Sequence, residues 1–189
     1  MRRIRLGIAL PLMLACVSAG GVIARDEPAQ PASAATVRPF VDGPVEGASL
    51  SEWTTRWWRW AETSRIAPYL DPDGRLCELG QDGPVWFLAG TNGEFEPKRT
   101  CVIPEGKYLL LPVINMIQWQ RTDVRKRSTC AQLQAGTTVN NDHLASAVVM
   151  LDGKPLGDIT HHRVHSNGCF PMNPEDRSSA LAAADGYWL

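Results

Sequence analysis

Apolar residues recur at intervals of three and four along residues 50–64, the stretch LSEWTTRWWRWAETS. On a helix this spacing gathers them into one stripe and leaves charged residues on much of the opposite side. Ser49 and Glu52 form an S-x-x-E capping box at the start of the stretch, which is typical of a helix N-terminus. Trp58 falls off the stripe. The pattern predicts an amphipathic helix that packs against a sheet through Leu50, Trp53, Trp57, Trp60 and Ala61.

Short runs of apolar or β-branched residues, bounded by Gly or Pro, replace the helical period after Pro68. Such runs are typical of strands. They predict strands within residues 84–90, 98–103, 107–114 and 147–151. Asp152-Gly153 follows the last run and predicts a hairpin turn.

The other stretches have weaker patterns. Residues 118–142 are polar and uneven, which predicts a long excursion from the core that Cys130 holds. Residues 160–166 predict a further strand, and residues 178–184 a short helix or loop. The final residues, 185–189 (DGYWL), should open a strand. Either that strand is short, or the chain is a truncated form of a longer protein.

These elements predict a mainly β, sandwich-like domain with one N-terminal amphipathic Trp-rich helix. The chain has 189 residues, of which 44% are apolar and 21% charged, enough for one ordinary domain with a core. The predicted organisation is a signal peptide over residues 1–24, a flexible Pro/Ala-rich linker over residues 25–44 and a single β-rich domain over residues 45–189.

The first 24 residues have the layout of a secretory signal peptide: the basic start MRRIR, the apolar run LGIALPLMLACV and then small residues. Pro11 interrupts the apolar run, which falls short of the roughly 20 residues that a membrane span needs. Lipid attachment at Cys16 is disfavoured because Met13 stands where such sites usually have Leu. The prediction is a periplasmic or secreted protein without a transmembrane span in its mature chain.

Four cysteines lie beyond the leader: Cys77, Cys101, Cys130 and Cys169. In an exported domain four thiols indicate two disulfides, with three possible pairings. Cys77 and Cys101 flank one compact strand-like block, which favours a 77–101 bond and, by default, a 130–169 bond. A zinc site is the rival interpretation, but no C-x-x-C spacing supports it.

The charge balance argues against nucleic acid as a partner. The whole chain has a formal charge of −1, and without Arg2, Arg3 and Arg5 the remainder has 16 basic and 20 acidic residues. A mildly acidic body without a basic stripe is unsuited to bind nucleic acid or an anionic membrane surface.

All seven tryptophans lie beyond the leader, and an exposed indole can stack on a sugar ring while its N–H donates to a hydroxyl. The tryptophans at helical spacing are better explained as core. We therefore expect Trp58, Trp119 and Trp188 to be the exposed, ligand-binding candidates. A membrane-surface role for the helix is disfavoured because Glu52 and Glu62 lie beside its arginines.

Histidines provide the second candidate chemistry. Three of the four lie in the run His161-His162-Arg163-Val164-His165, and His143 lies elsewhere. On a strand His161 and His165 would share a face, and with His143 or an aspartate they could hold a divalent metal such as zinc or copper. Arg163 would lie between them and repel a cation, so surface histidines on an edge strand are the simpler interpretation.

Catalytic motifs are lacking in the sequence. It has no G-x-S-x-G elbow, P-loop, dinucleotide fingerprint or EF-hand loop. Its aspartates stand mostly in turns, where Asp is favoured for structural reasons. No residue is assigned a catalytic role, and no cofactor is expected apart from the metal considered above.

Several blocks in a fixed order resemble a family of uncharacterised exported bacterial proteins. They are WTTRWWRW (53–60), GPVWFLAG (83–90), CVIPEGK (101–107), LPVIN (111–115) and DGYW (185–188). The similarity runs from about residue 48 to the end. Members of the family continue beyond the DGYW block, and many carry a cysteine just after PVIN, where this chain has Met116-Ile117. The family has no established activity, so the resemblance implies organisation and no catalytic residue.

The sequence thus favours an exported, non-catalytic binding or interaction module of the bacterial cell envelope, with a glycan or a protein as its partner. The alternative is a metal-dependent enzyme or metal-binding protein that uses His161, His162 and His165.

Overall fold

A computed structural model describes residues 40–189. The predicted signal peptide and all but the last five residues of the predicted linker lie outside this range. The described chain contains two α-helices, α1 (Leu50–Thr63) and α2 (Cys130–Thr138). Its eight strands are β1 (Val85–Phe87), β2 (Tyr108–Leu110), β3 (Pro112–Trp119), β4 (Met150–Leu151), β5 (Lys154–Pro155), β6 (Arg163–His165), β7 (Phe170–Pro171) and β8 (Leu181–Trp188).

The strands form three sheets. In the largest, β8 lies in the centre, antiparallel to β3 on one side and to β6 and β7 on the other. The other two are the parallel pair β1–β2 and the hairpin β4–β5. The fold is therefore mixed, with strands and helices, and it is not a clear two-sheet sandwich as the sequence analysis expected.

The helix α1 begins as predicted. The Ser49 hydroxyl accepts the Glu52 N–H, and the Glu52 carboxylate accepts the Ser49 N–H. The stripe tryptophans are buried with Ala61, whereas Leu50 at the first turn is exposed. Three indole N–H groups donate to carbonyls of separate segments: Trp53 to Val45, Trp57 to Leu88 and Trp60 to Leu79. The helix thereby fixes three loops as well as filling the core.

The two faces of β8 pack on different partners because side chains alternate along a strand. Ala182, Ala184 and Trp188 belong to the core cluster of the α1 tryptophans. Asp185 and Tyr187 point to the other side, where both form hydrogen bonds with Asn141, just after α2. The sheet thus has α1 on one face and the α2 region on the other.

Gly186 allows the close approach of β3 and β8. A Cβ built at this position would lie 2.7 Å from the Ile114 carbonyl oxygen and 2.7 Å from the Asn115 Cβ. Contacts this short force a backbone shift, so only glycine fits here without widening the strand pair.

Several local predictions are confirmed. The disulfides are Cys77–Cys101 and Cys130–Cys169. Asp152 and Gly153, both with positive φ (51° and 75°), join β4 to β5, as a type I′ hairpin turn requires.

Other local predictions are wrong. Residues 98–103 form no strand, and residues 181–184, expected in a short helix or loop, belong to the central strand. The excursion 118–142 contains α2, whose capping box joins Thr129 and Gln132. The secondary structure of the last two segments depends on tertiary packing. The alanine run of β8 and the polar helix α2 carry little hydrophobic periodicity, so their own sequences do not predict them.

Within residues 40–189, neither helix has the length and apolar character that crossing a bilayer requires.

We expect the substitution Trp57→Ala to lower the free energy of unfolding by about 3 to 5 kcal/mol. Its ring is 1% exposed and lies edge-on to the rings of Trp58, Trp60 and Trp188. The measurement is denaturant unfolding of the oxidised protein. The control, Trp119→Ala at an exposed ring, should cost less than about 0.5 kcal/mol; equal losses from both variants would contradict this view of the core.

Candidate functional site

A cleft of about 580 Å³ opens beside residues 40–43, where α1, β2 and the end of β8 meet. Most side chains that line it are apolar or aromatic: Phe40, Val41, Val45, Leu50, Trp53, Val85, Tyr108, Leu109, Leu110, Trp188 and Leu189. Four of these, Val41, Leu50, Tyr108 and Leu109, are exposed. Grouped exposed apolar side chains are more informative than isolated ones, because they mark places where a partner can cover them.

The walls of the cleft are fixed by backbone bonds. Leu111 and Leu189 exchange two N–H···O bonds, of 2.7 and 2.9 Å, which joins the chain after β2 to the end of β8. Tyr108 donates its N–H to the Pro84 carbonyl at 3.0 Å, and the Trp53 indole holds Val45. The apolar surface is therefore presented by residues that the fold positions.

A few polar groups complete the lining. The Lys107 ammonium group donates to the Gly83 carbonyl. His161 and His162 lie on the 3₁₀ turn Thr160–His162, and the His162 ring lies 4.6 Å from the Phe40 ring, centre to centre. His161 Nε2 is 3.8 Å from an Asp158 carboxylate oxygen. These groups supply an ammonium donor and imidazole nitrogen atoms at an otherwise apolar site.

The three tryptophans that were expected to bind a ligand differ in their exposure to solvent. Trp119 is 46% exposed at the end of β3, outside the cleft. Trp58 and Trp188 are 6% and 1% exposed, so the expected exposure is wrong for both. Trp58 packs edge-on against Trp57 at 4.9 Å, and Trp188 lies on the central strand, where its ring meets the same Trp57 ring. Neither indole has a free face to stack on a sugar.

The histidines do not share a strand face. Only Arg163–His165 is a strand, and His161 and His162 lie on the turn before it. His143 lies in another 3₁₀ turn, Asn141–His143. In the part of the chain that the structure describes, no three His, Cys, Asp or Glu side chains are grouped so that they could hold a metal ion. The metal site stays a prediction.

A second polar cluster surrounds Asp185 on the α2 side of the sheet. The fully buried Asp185 carboxylate accepts from Arg163 at 2.6 Å and from Asn141 at 3.0 Å. His165 Nδ1 lies 3.2 Å from the same carboxylate, because His165 and Asp185 are register partners on β6 and β8. Arg163 also donates to Asp142 at 2.7 Å.

These contacts explain the electrostatics of the cluster. Hydrogen bonds to Asp185 and Asp142 raise the pKa of the Arg163 guanidinium. The bond from Arg163 is the largest cause that holds the pKa of Asp142 below its ordinary value. Since the cation is shared by two carboxylates, the cluster ties the turn after α2 and β6 to the central strand. Its groups bond to one another, which is the arrangement of a structural cluster.

Sequence reasoning missed the cleft. Phe40 and Val41 fell in the predicted linker, where an apolar pair in a polar stretch was the available signal. Tyr108 and Leu109 belong to the run YLLLP within the predicted strand 107–114, and its uniformly apolar residues do not indicate which side chains are exposed. No pattern in the sequence indicates that these segments meet.

Comparison with protein-family models, with curated proteins and with solved structures finds no match to this chain.

The ion pair of Asp142 makes a pH-dependent contribution to stability. Because its folded pKa is lowered, this contribution is present above the unfolded pKa and is lost as the pH falls through the folded value. We expect wild type to be more stable than Asp142→Asn at neutral pH, and the difference to shrink below about pH 4. Denaturant unfolding across this pH range measures it; a difference that stays constant would contradict the assignment.

Proposed function

We propose that this chain is an exported, non-catalytic binding module of the bacterial cell envelope, and that its ligand occupies the cleft. The observation that carries the proposal is the group of exposed apolar side chains, Val41, Leu50, Tyr108 and Leu109, that line one cavity. Binding sites for small molecules are concave and mainly apolar, with a few polar groups that orient the ligand. The volume of about 580 Å³ lies in the range of such sites.

The lining favours a ligand with a mainly apolar surface over a free glycan. Sugar recognition depends on exposed aromatic faces combined with many hydrogen-bonding groups. Of the three tryptophans proposed for stacking, Trp119 alone is exposed, and it lies outside the cleft. The cleft offers Tyr108 and Leu109 together with the donors of Lys107, His161 and His162.

Export is supported by two independent features. The first 24 residues have the pattern of a secretory signal peptide. The two disulfides suit an oxidising compartment such as the periplasm or the medium. An apolar ligand site outside the cytoplasm is consistent with a role in binding an envelope molecule or an apolar segment of an envelope protein.

The proposal is tested with the neutral apolar fluorophore N-phenyl-1-naphthylamine, titrated into the oxidised protein. We expect saturable fluorescence enhancement in wild type. Leu109→Asp, which places a charge on the cleft wall, should weaken the apparent affinity at least about tenfold. Leu109 is exposed, so this variant is expected to fold normally, and its unfolding midpoint verifies this.

Leu151→Asp is the matched control. Leu151 is exposed to nearly the same degree as Leu109 but lies on the β4–β5 hairpin, outside the cleft. Its probe affinity should equal that of wild type. Probe binding that is not saturable, or that both variants weaken equally, would refute the cleft as the ligand site.

A further inference from the structure

Strand β3 leaves one of its edges without a partner strand. In its sheet β3 pairs with β8 alone. Gln120, directly after β3, donates its N–H to the Leu181 carbonyl of β8 at 2.8 Å. Because backbone groups point alternately to the two sides of a strand, the even-numbered residues near the end of β3 face β8. Asn115, Ile117 and Trp119 therefore direct their N–H and C=O groups away from it.

Those outward groups have no hydrogen-bond partner within residues 40–189. The strand PVINMIQW also carries no charged side chain. Natural edge strands are usually protected by charges, by proline or by a covering segment, because an open edge is a template for another strand. Pro112 stands at the first position of β3, and the later residues of the strand carry neither a proline nor a charge.

The opposite edge of the same sheet is protected, which makes the contrast informative. The outward carbonyl of His165 on β6 accepts the Ser51 hydroxyl at 2.8 Å. The carbonyl of Pro171 on β7 accepts Arg59 Nε at 3.1 Å, and Pro171 has no N–H to offer. Both donors come from α1, so the helix covers one edge of the sheet and leaves the β3 edge to another partner.

We propose that the β3 edge pairs with the β3 edge of a second copy of this chain, antiparallel, to form a two-fold symmetric dimer with one continuous sheet. A Cβ built on Gly90 would lie 3.5 Å from the Pro112 ring, so the chain at Gly90 packs beside the start of β3. The open part of the β3 edge therefore begins after Pro112. Centring the pairing on Ile117 places Asn115 of each copy opposite Trp119 of the other. Each such pair exchanges two backbone hydrogen bonds.

The charges around the edge favour a second copy as the partner. The exposed loop after Trp119 contains Arg121, Asp123, Arg125, Lys126 and Arg127, and is basic overall. The loop that leaves Gly90 at the other end carries the exposed Glu94 and Glu96. An antiparallel pairing brings the basic loop of each copy towards the acidic loop of the other, which is the complementarity that a specific interface uses.

This inference is independent of the ligand cleft, because Asn115, Ile117 and Trp119 do not line it. Sedimentation of the full oxidised chain over a range of concentrations tests it. We expect a reversible monomer–dimer equilibrium. Trp119→Pro removes an outward N–H without breaking a bond to β8, and it should weaken dimerisation at least about tenfold.

Trp119→Ala is the matched control for that variant, since it removes the ring and keeps the N–H. It should dimerise more tightly than Trp119→Pro, and unfolding curves of both variants verify that they fold. A wild-type chain that stays monomeric at every concentration overturns the proposal. A Trp119→Pro variant that dimerises as well as wild type overturns it too.

Charge exchange tests the antiparallel arrangement. Glu94→Lys with Glu96→Lys should weaken the dimer severalfold, and adding Arg125→Glu with Arg127→Glu should restore it. Weakening that the second pair of substitutions does not restore would exclude the proposed juxtaposition of the loops.

Discussion

The packing of the α1 indoles on the alanine face of β8 is the contact on which the rest of this structure depends. Ala182 and Ala184 carry only a methyl group, which leaves room on this face of β8 for the indoles, and the Trp57 ring packs edge-on against the Trp188 ring. The same indoles hold the loops at Val45, Leu79 and Leu88 by hydrogen bonds. Burial of large aromatic rings supplies much of the stability, and their N–H groups give the loops fixed positions.

The other face of the central strand is stabilised by charge. Asp185 can be buried there because Arg163 and Asn141 satisfy its oxygens, and an unpaired carboxylate at that position would be costly. One strand therefore joins an aromatic core to a buried ionic cluster. The cleft lies at the end of this strand, where Trp188 and Leu189 meet the chain around β2.

The sequence predicts those elements of the structure whose pattern lies within one short segment of the chain. The capping box and the spacing of Trp53, Trp57 and Trp60 predict α1, because helix periodicity is visible within one segment. The Asp152-Gly153 turn is visible in the same way. The 77–101 disulfide follows from the strand-like block that these two cysteines flank, and the 130–169 disulfide follows because only those two cysteines remain. The strand predicted at residues 185–189 is confirmed as the second half of β8. The first half is hidden, because the alanine run 182–184 shows no alternation between apolar and polar residues. Trp58 is buried although it leaves the stripe, so the aromatic core covers more of α1 than one stripe. The cleft is lined by residues near positions 40, 108 and 162. These residues are far apart in sequence, and only the tertiary fold brings them together.

The position of β8 in the chain has a consequence for the order of folding. It follows β3, β6 and β7 in sequence, yet it lies between them in the sheet. None of these three strands can pair in the native sheet until residues 181–188 have been synthesised. The contacts of this sheet join residues far apart in sequence, which slows folding because long loops must close first. A nascent chain of this kind therefore lacks its native sheet until β8 has been made.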